Sequence, residues 1–209
     1  MKKLIPLLLA VFALTACEKD ADTDQLDNKF VVYTNYDKNA NFKQFNTYYL
    51  PDSILIIGDK DKQEYWKDAN AQKIIDTYIF NMDNRGYTRV TEREDADLGL
   101  QLSYVKNTYV FTDYGYPEWW WGYPGYWDVP YWGNWGDWYY PYAVTYSYST
   151  GSFVTELLNL DAPQGQTAQL PILWTAYMSG LLSGSTSVNV DLSIQAVDQA
   201  FTQSAYLKK

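Results

Sequence analysis

The stretch DANAQKIIDTYIFNMDNRGYTRVTEREDADLGLQLSY, residues 68–104, carries two hydrophobic periods in succession. Ala71, Ile74, Ile75, Tyr78, Ile79 and Met82 recur at three- and four-residue steps, so residues 68–85 present one apolar stripe when wound into a helix. Asp68 can cap the first turn by accepting from free backbone amides, and Gly86 can end the last one by adopting positive φ. After a short strand over residues 87–90 the period changes: Leu98, Leu100, Leu102 and Tyr104 alternate with Gly99, Gln101 and Ser103. A period of two marks a strand with one buried face. Each stripe needs a cover, and a helix laid on a sheet covers both.

Outward from this pair the same reading continues. Residues 30–33 and 45–50 are rich in aromatic and β-branched side chains and read as strands. The apolar run 54–57, between Pro51 and Gly58, is either a short strand or a packed loop. Residues 153–160 and 172–178 read as strands of a hairpin, joined through Asp161, Pro163 and Gly165. A second helix is expected over residues 190–206, with the stripe Val190, Ile194, Val197, Phe201 and Ala205, interrupted at its edge by Asp198. The expected fold is one α+β domain over residues 30–209: a mainly antiparallel sheet with two helices packed on one face, plus an aromatic, Gly/Pro-rich loop.

Ahead of that domain the sequence changes character. Lys2 and Lys3 precede an apolar run from Leu4 to Leu14, and Leu14-Thr15-Ala16-Cys17 follows, which resembles the bacterial lipobox. The run is too short to cross a bilayer, so residues 1–16 read as a signal peptide and Cys17 as an acylated mature N-terminus. Two or three acyl chains make an essentially permanent anchor. Residues 17–29, with Glu18, Asp20, Asp22, Asp24 and Asp27, read as a lipidated flexible tether. A calcium loop is excluded, because Gln25 and Val31 stand where the loop needs glycine and glutamate. The acidic residues also resemble the surface-export signal of Bacteroidetes-type lipoproteins, and a solvated spacer accounts for them equally. The expected location is the cell envelope, at an outer membrane, facing the periplasm or the surface.

The formal charge is −9, and loss of Lys2 and Lys3 with the signal peptide makes it −11. Such a body is unsuited to nucleic acid or anionic lipid. The one cysteine leaves no disulfide to staple the domain. With no histidine, Ser-His-Asp and Cys-His catalysis, the usual zinc and copper sites and histidine proton shuttles are all excluded. No cofactor or metal is expected.

The segment 109–148 holds 19 aromatic residues among its 40, with five glycines and four prolines, and no hydrophobic period. Trp119, Trp120, Trp121, Trp127, Trp132, Trp135 and Trp138 are its candidate contact residues. Three readings are open: rings packed on one another and on the sheet, a contact surface for an envelope protein or a membrane interface, and a platform for carbohydrate or cell-wall glycan. The punctuation predicts a surface accessory whose residues 115–140 can be replaced by a short linker. No lysine or arginine lies between Lys106 and Lys208, which argues against stacking on nucleic acid. Glu118, Asp128 and Asp137 are the available carboxylates for paired-acid hydrolysis, and Asp95 and Asp97 lie two apart, in what reads as a solvated turn. No nucleophile, base and orienting partner can be assembled from spacing, so the expectation is a non-enzyme.

The strand at 45–50, Arg85-Gly86-Tyr87, Asp95-Ala96-Asp97-Leu98 and Gly151-Ser152-Phe153-Val154 form a pattern with Leu173-Trp174, Ser179-Gly180, Ala196-Val197 and Phe201. Together they resemble the lipoprotein family catalogued as domain of unknown function 4136. The resemblance covers nearly all of the chain beyond the tether, and implies a lipid-anchored envelope domain with no assigned activity. Members commonly have a basic residue just after the tryptophan, where this chain has Thr175 and Ala176.

Overall fold

A computed structural model of the chain describes residues 30–58, 64–106, 129–142, 149–183 and 187–209. The signal peptide, Cys17, the tether and the first half of the aromatic segment lie outside the described residues.

Strands β1 (Val31–Tyr36), β2 (Thr47–Tyr49), β3 (Ile54–Ile57) and β4 (Glu64–Trp66) precede helix α1 (Ala69–Asn84), and β5 (Thr88–Val90) and β6 (Leu98–Val105) follow it. Next come a single helical turn, α2 (Val129–Trp132), then β7 (Trp135–Tyr139), β8 (Ser152–Asn159) and β9 (Gly165–Ser179). A short pair, β10 (Leu182–Ser183) and β11 (Ser187–Val188), leads into helix α3 (Val190–Gln203).

The sheet runs β1-β9-β8-β6-β2-β5, and β3 joins β6 beyond the end of β2. Its long central pairs, β1 with β9, β9 with β8 and β8 with β6, are antiparallel, as expected. Parallel pairs were not expected, and they occur at β2 with β5 and β6, at β3 with β6, and at β7 with β9. The 54–57 run is a strand whose two faces are both covered: Ile54 meets the helix side, while Leu55 and Ile57 meet the other. A strand buried on both faces reads as an unbroken apolar run, which is why its period was mute.

Both helices pack on one face. Ile74, Ile75, Tyr78 and Met82 of α1 and Ala196, Val197, Ala200 and Phe201 of α3 share a core with Leu100, Leu102, Phe153, Leu157, Trp174 and Met178. Asp68 caps α1, accepting from the Asn70 and Ala71 amides at 2.8 and 3.0 Å, and Gly86 ends it at φ +89°. Arg85 ties the helices together: its guanidinium donates to the Phe201 carbonyl at 2.6 Å and lies 4.6 Å from that ring's centroid. Trp174 anchors the end of α3 to the sheet by donating to Ser204 Oγ at 2.8 Å. The second helix is shorter than its pattern suggested. It stops at Gln203, Ala205 is exposed, and Ser193 and Ala200 take buried positions that the apolar stripe had not included.

The alternation of the Leu98 strand was expected to leave one face in water, and here the structure corrects the reading. All eight residues of β6 are buried. A second hydrophobic cluster covers the far face of the sheet, built from Leu55, Ile57, Val105, Val154, Leu158, Leu170, Ile172 and Tyr177 together with Trp132, Trp135 and Trp138.

Candidate functional site

The cover of that second face comes from the aromatic segment. Gly133, at φ +138°, turns the chain between α2 and β7, and the Asn134 amide is held there by Gln164 Oε1 at 3.0 Å. β7 then runs parallel to the first part of β9, with Trp138 opposite Leu170 and a register shift between Trp135 and Asp137. This geometry lays Trp132 on β6. A Cβ added to Gly99 would sit 2.5 Å from the Trp132 ring, so the close approach of ring to strand requires glycine. Tyr49 and Tyr131 meet the same indole edge-on, with ring centroids at 6.1 and 5.2 Å.

Trp132, Trp135 and Trp138 are therefore core residues, 2%, 5% and 1% exposed, and not a contact surface. The expectation that residues 115–140 form a dispensable surface accessory fails for the part that is described. Loop-like punctuation marks irregular backbone, and irregular backbone can still bury a large ring where a glycine such as Gly99 lies opposite. Trp119, Trp120, Trp121 and Trp127, together with Glu118 and Asp128, lie outside the described residues.

Beneath the cover is a row of polar side chains that the sequence reading did not single out. Gln101 on β6 is in register with Glu156 on β8, and Glu156 with Thr175 on β9, so the three stand side by side on one face. All three residues are fully buried. The Tyr140 hydroxyl, just past β7, donates to Glu156 Oε1. Gln101 turns its amide nitrogen to the Leu102 carbonyl at 3.0 Å and Ser103 Oγ at 3.4 Å. Gln101 Oε1, Glu156 Oε2 and Thr175 Oγ1 have no hydrogen-bond partner among the described residues. Further along the same face, the hydroxyls of Ser149, Ser152 and Tyr177 hydrogen-bond one another at 2.9 to 3.1 Å.

Burial drives the Glu156 carboxyl well above its ordinary value of 4.5, and the bond from Tyr140 opposes this only in part. The only signal for Glu156 in the sequence was its place: an acid inside an apolar strand, within a hundred residues that hold no lysine or arginine. The raised value has a stability consequence. Below about pH 4.5 folded and unfolded chains both hold the proton; above it the unfolded chain releases the proton while the folded chain keeps it. Stability is therefore expected to fall as the pH rises from there to the raised folded value. In Glu156→Gln this fall should vanish, as checked by urea unfolding in low-salt buffer at a series of pH values. An unchanged slope would show that Glu156 is not the group responsible.

The expected carboxylate candidates are placed otherwise. Asp97 Oδ2 accepts from the Asn46 and Thr47 amides, Thr47 Oγ1 donates to the Asp95 carbonyl, and the Asp97 amide donates back to Thr47 Oγ1. The pair Asp95 and Asp97 thus fastens the start of β6 to β2, a structural duty. Asp137 lies on β7 in register with Gln169 of β9. Among the described residues, no group of three or more His, Cys, Asp or Glu is arranged to hold a metal ion.

The model of a domain of unknown function, DUF4136, matches residues 32–204. The chain belongs to the DUF4136 family. A crystal structure of a DUF4136 family protein from Bacteroides thetaiotaomicron is similar at 55% identity and a TM-score of 0.81, covering 87% of this chain and 99% of that one. Weaker likenesses are to a PelC dodecamer from Paraburkholderia phytofirmans and to a PDZ domain protein from Parabacteroides distasonis. The first has 10% identity and a TM-score of 0.40, covering 83% of this chain and 96% of that one. The second has 14% identity and a TM-score of 0.41, covering 87% of this chain and 37% of that one. No curated protein matches. The residues on which the resemblance was read are mostly structural here: Arg85 and Phe201 join the helices, Trp174 anchors α3, Asp97 fastens β2, and Gly151 and Gly180 adopt φ of +78° and +81°.

Proposed function

We propose that this chain is a lipid-anchored cell-envelope protein, tethered through an acylated Cys17 at an outer membrane, with a DUF4136 domain that acts as a non-enzymatic packing or contact module. The observation that carries the anchoring is Leu14-Thr15-Ala16-Cys17 behind a basic start and an apolar run, with an acidic spacer before β1. The non-enzymatic reading is supported by a sequence without histidine and by Asp97, whose carboxylate is engaged by backbone amides. Burial of Trp132, Trp135 and Trp138 favours packing for the second half of the aromatic segment. Any partner or membrane surface is then left to Trp119, Trp120, Trp121 and Trp127.

Mass spectrometry of the N-terminus tests the anchor. The native chain is expected to begin at an acylated Cys17, and Cys17→Ser to remain neither lipidated nor cleaved after Ala16, since the thioether needs sulfur. An acylated N-terminus in the serine variant would remove the proposal.

A further inference from the structure

Gln101, Glu156 and Thr175 lie in register on three neighbouring strands, and each keeps one buried oxygen, Oε1, Oε2 and Oγ1 respectively, without a partner among the described residues. We infer that this row is a binding site for a small singly charged cation, a primary ammonium group or an alkali-metal ion, held by the three oxygens beneath the aromatic cover. The site is independent of the lipid anchor and goes beyond the proposed function.

The atoms of the row itself favour a positive ligand. Gln101 commits its amide nitrogen to Leu102 and Ser103, so the end it leaves available is an acceptor. Glu156 offers a carboxyl oxygen and Thr175 a hydroxyl oxygen. With the Glu156 proton released, a carboxylate, an amide oxygen and a hydroxyl oxygen on one buried face suit a donor with three N–H groups or a hard metal ion. Buried polar groups left without partners destabilise a fold, so an occupant that bonds all three stabilises this one.

Charge narrows the choice. No lysine or arginine lies between Lys106 and Lys208, none occurs in β1, β2, β3 or β6, and Arg89 of β5 is engaged by the Leu50 carbonyl and Asp52, so among the described residues no cation is paired with Glu156. Buried charges are paired or neutralised, so the carboxyl of Glu156 keeps its proton in the empty site and releases it to solvent when a cation takes its place. An anionic ligand would meet a carboxyl group with no compensating cation. One carboxylate with two neutral oxygens matches a single positive charge, whereas calcium takes six to eight oxygens. The cover adds to the fit: Tyr140, bonded to Glu156, meets Tyr142 edge-on at 6.0 Å, and ring faces attract cations. The acidic chain, at −9, raises the local concentration of cations as well.

The test uses the full chain in detergent, titrated with methylammonium chloride, sodium chloride or potassium chloride at constant ionic strength maintained with tetramethylammonium chloride. Tetramethylammonium has no N–H to donate and encloses its charge in four methyl groups, so no oxygen can reach the nitrogen. Tyrosine and tryptophan fluorescence and melting temperature report binding. A saturable change is expected with methylammonium or with sodium or potassium, at least ten-fold weaker in Glu156→Gln and several-fold weaker in Thr175→Val. A response to methylammonium alone assigns an amine ligand, and a response to sodium or potassium assigns a metal ion. Absence of saturation with every cation would overturn the proposal. So would undiminished binding in Glu156→Gln or, if that variant does not fold, in Thr175→Val.

Discussion

Trp132→Ala and Trp138→Ala are each expected to destabilise the domain by about 3–5 kcal/mol, the usual cost of truncating a fully buried aromatic side chain. Together they should abolish the cooperative melt, because small domains have only about 5–15 kcal/mol of stability in total. The reason lies in what the two indoles cover. Trp132 lies on Gly99 and Leu158, and Trp138 sits opposite Leu170, so their loss opens the second sheet face to water over Leu158, Leu170 and Ile172. Irregular backbone around Gly133 has little chance to collapse into the space, since it is held by Gln164 on one side and by β9 on the other. Urea unfolding of the single variants is the measurement. Losses below about 1 kcal/mol would mean that the rings rest on the surface, as the loop-like sequence had suggested.

Ile75→Asp should be comparably severe. Ile75 is fully buried in the middle of the α1 stripe, between the helix and the sheet, and an aspartate there would be a carboxylate enclosed in a cluster of apolar side chains. Burying an unpaired charge is among the few single changes that exceed about 4 kcal/mol. Lys73→Asp, two residues earlier on the exposed side of the same helix, is expected to change stability by about 0.5 kcal/mol or less. Comparison of their thermal melts separates the two faces, and equal losses would mean that the phase of the helix is wrong.

The first helix was legible because its stripe is long, apolar and bracketed by Asp68 and Gly86, all of which are local signals. The Leu98 strand was legible on one face only. Its alternating partners Gly99, Gln101 and Ser103 look solvated in sequence, yet they are small or polar because a tryptophan cover and a buried polar row lie against them. Gly99 was the local clue, since glycine inside a strand often marks the close approach of another group. Nothing local pointed to Trp132 as that group, which sits more than thirty residues away in a segment with no period. Glu156 escaped for a related reason: a charged residue in a strand is ordinarily read as facing water, and only the pairing of three strands shows it enclosed. The parallel contacts of β2 and β3 depend on the crossover through α1, which no periodicity encodes.

Hydroxyl-radical footprinting with mass spectrometry, read at single tryptophans in the folded chain, tests most directly whether the aromatic segment closes the second face of the sheet. Peptides carrying Trp132, Trp135 and Trp138 are predicted to resist oxidation until urea unfolds the domain, and to become reactive in the same transition as the helix-side Trp174. Oxidation of those three in native buffer at the rate of the unfolded chain, with Trp174 still protected, would contradict the account.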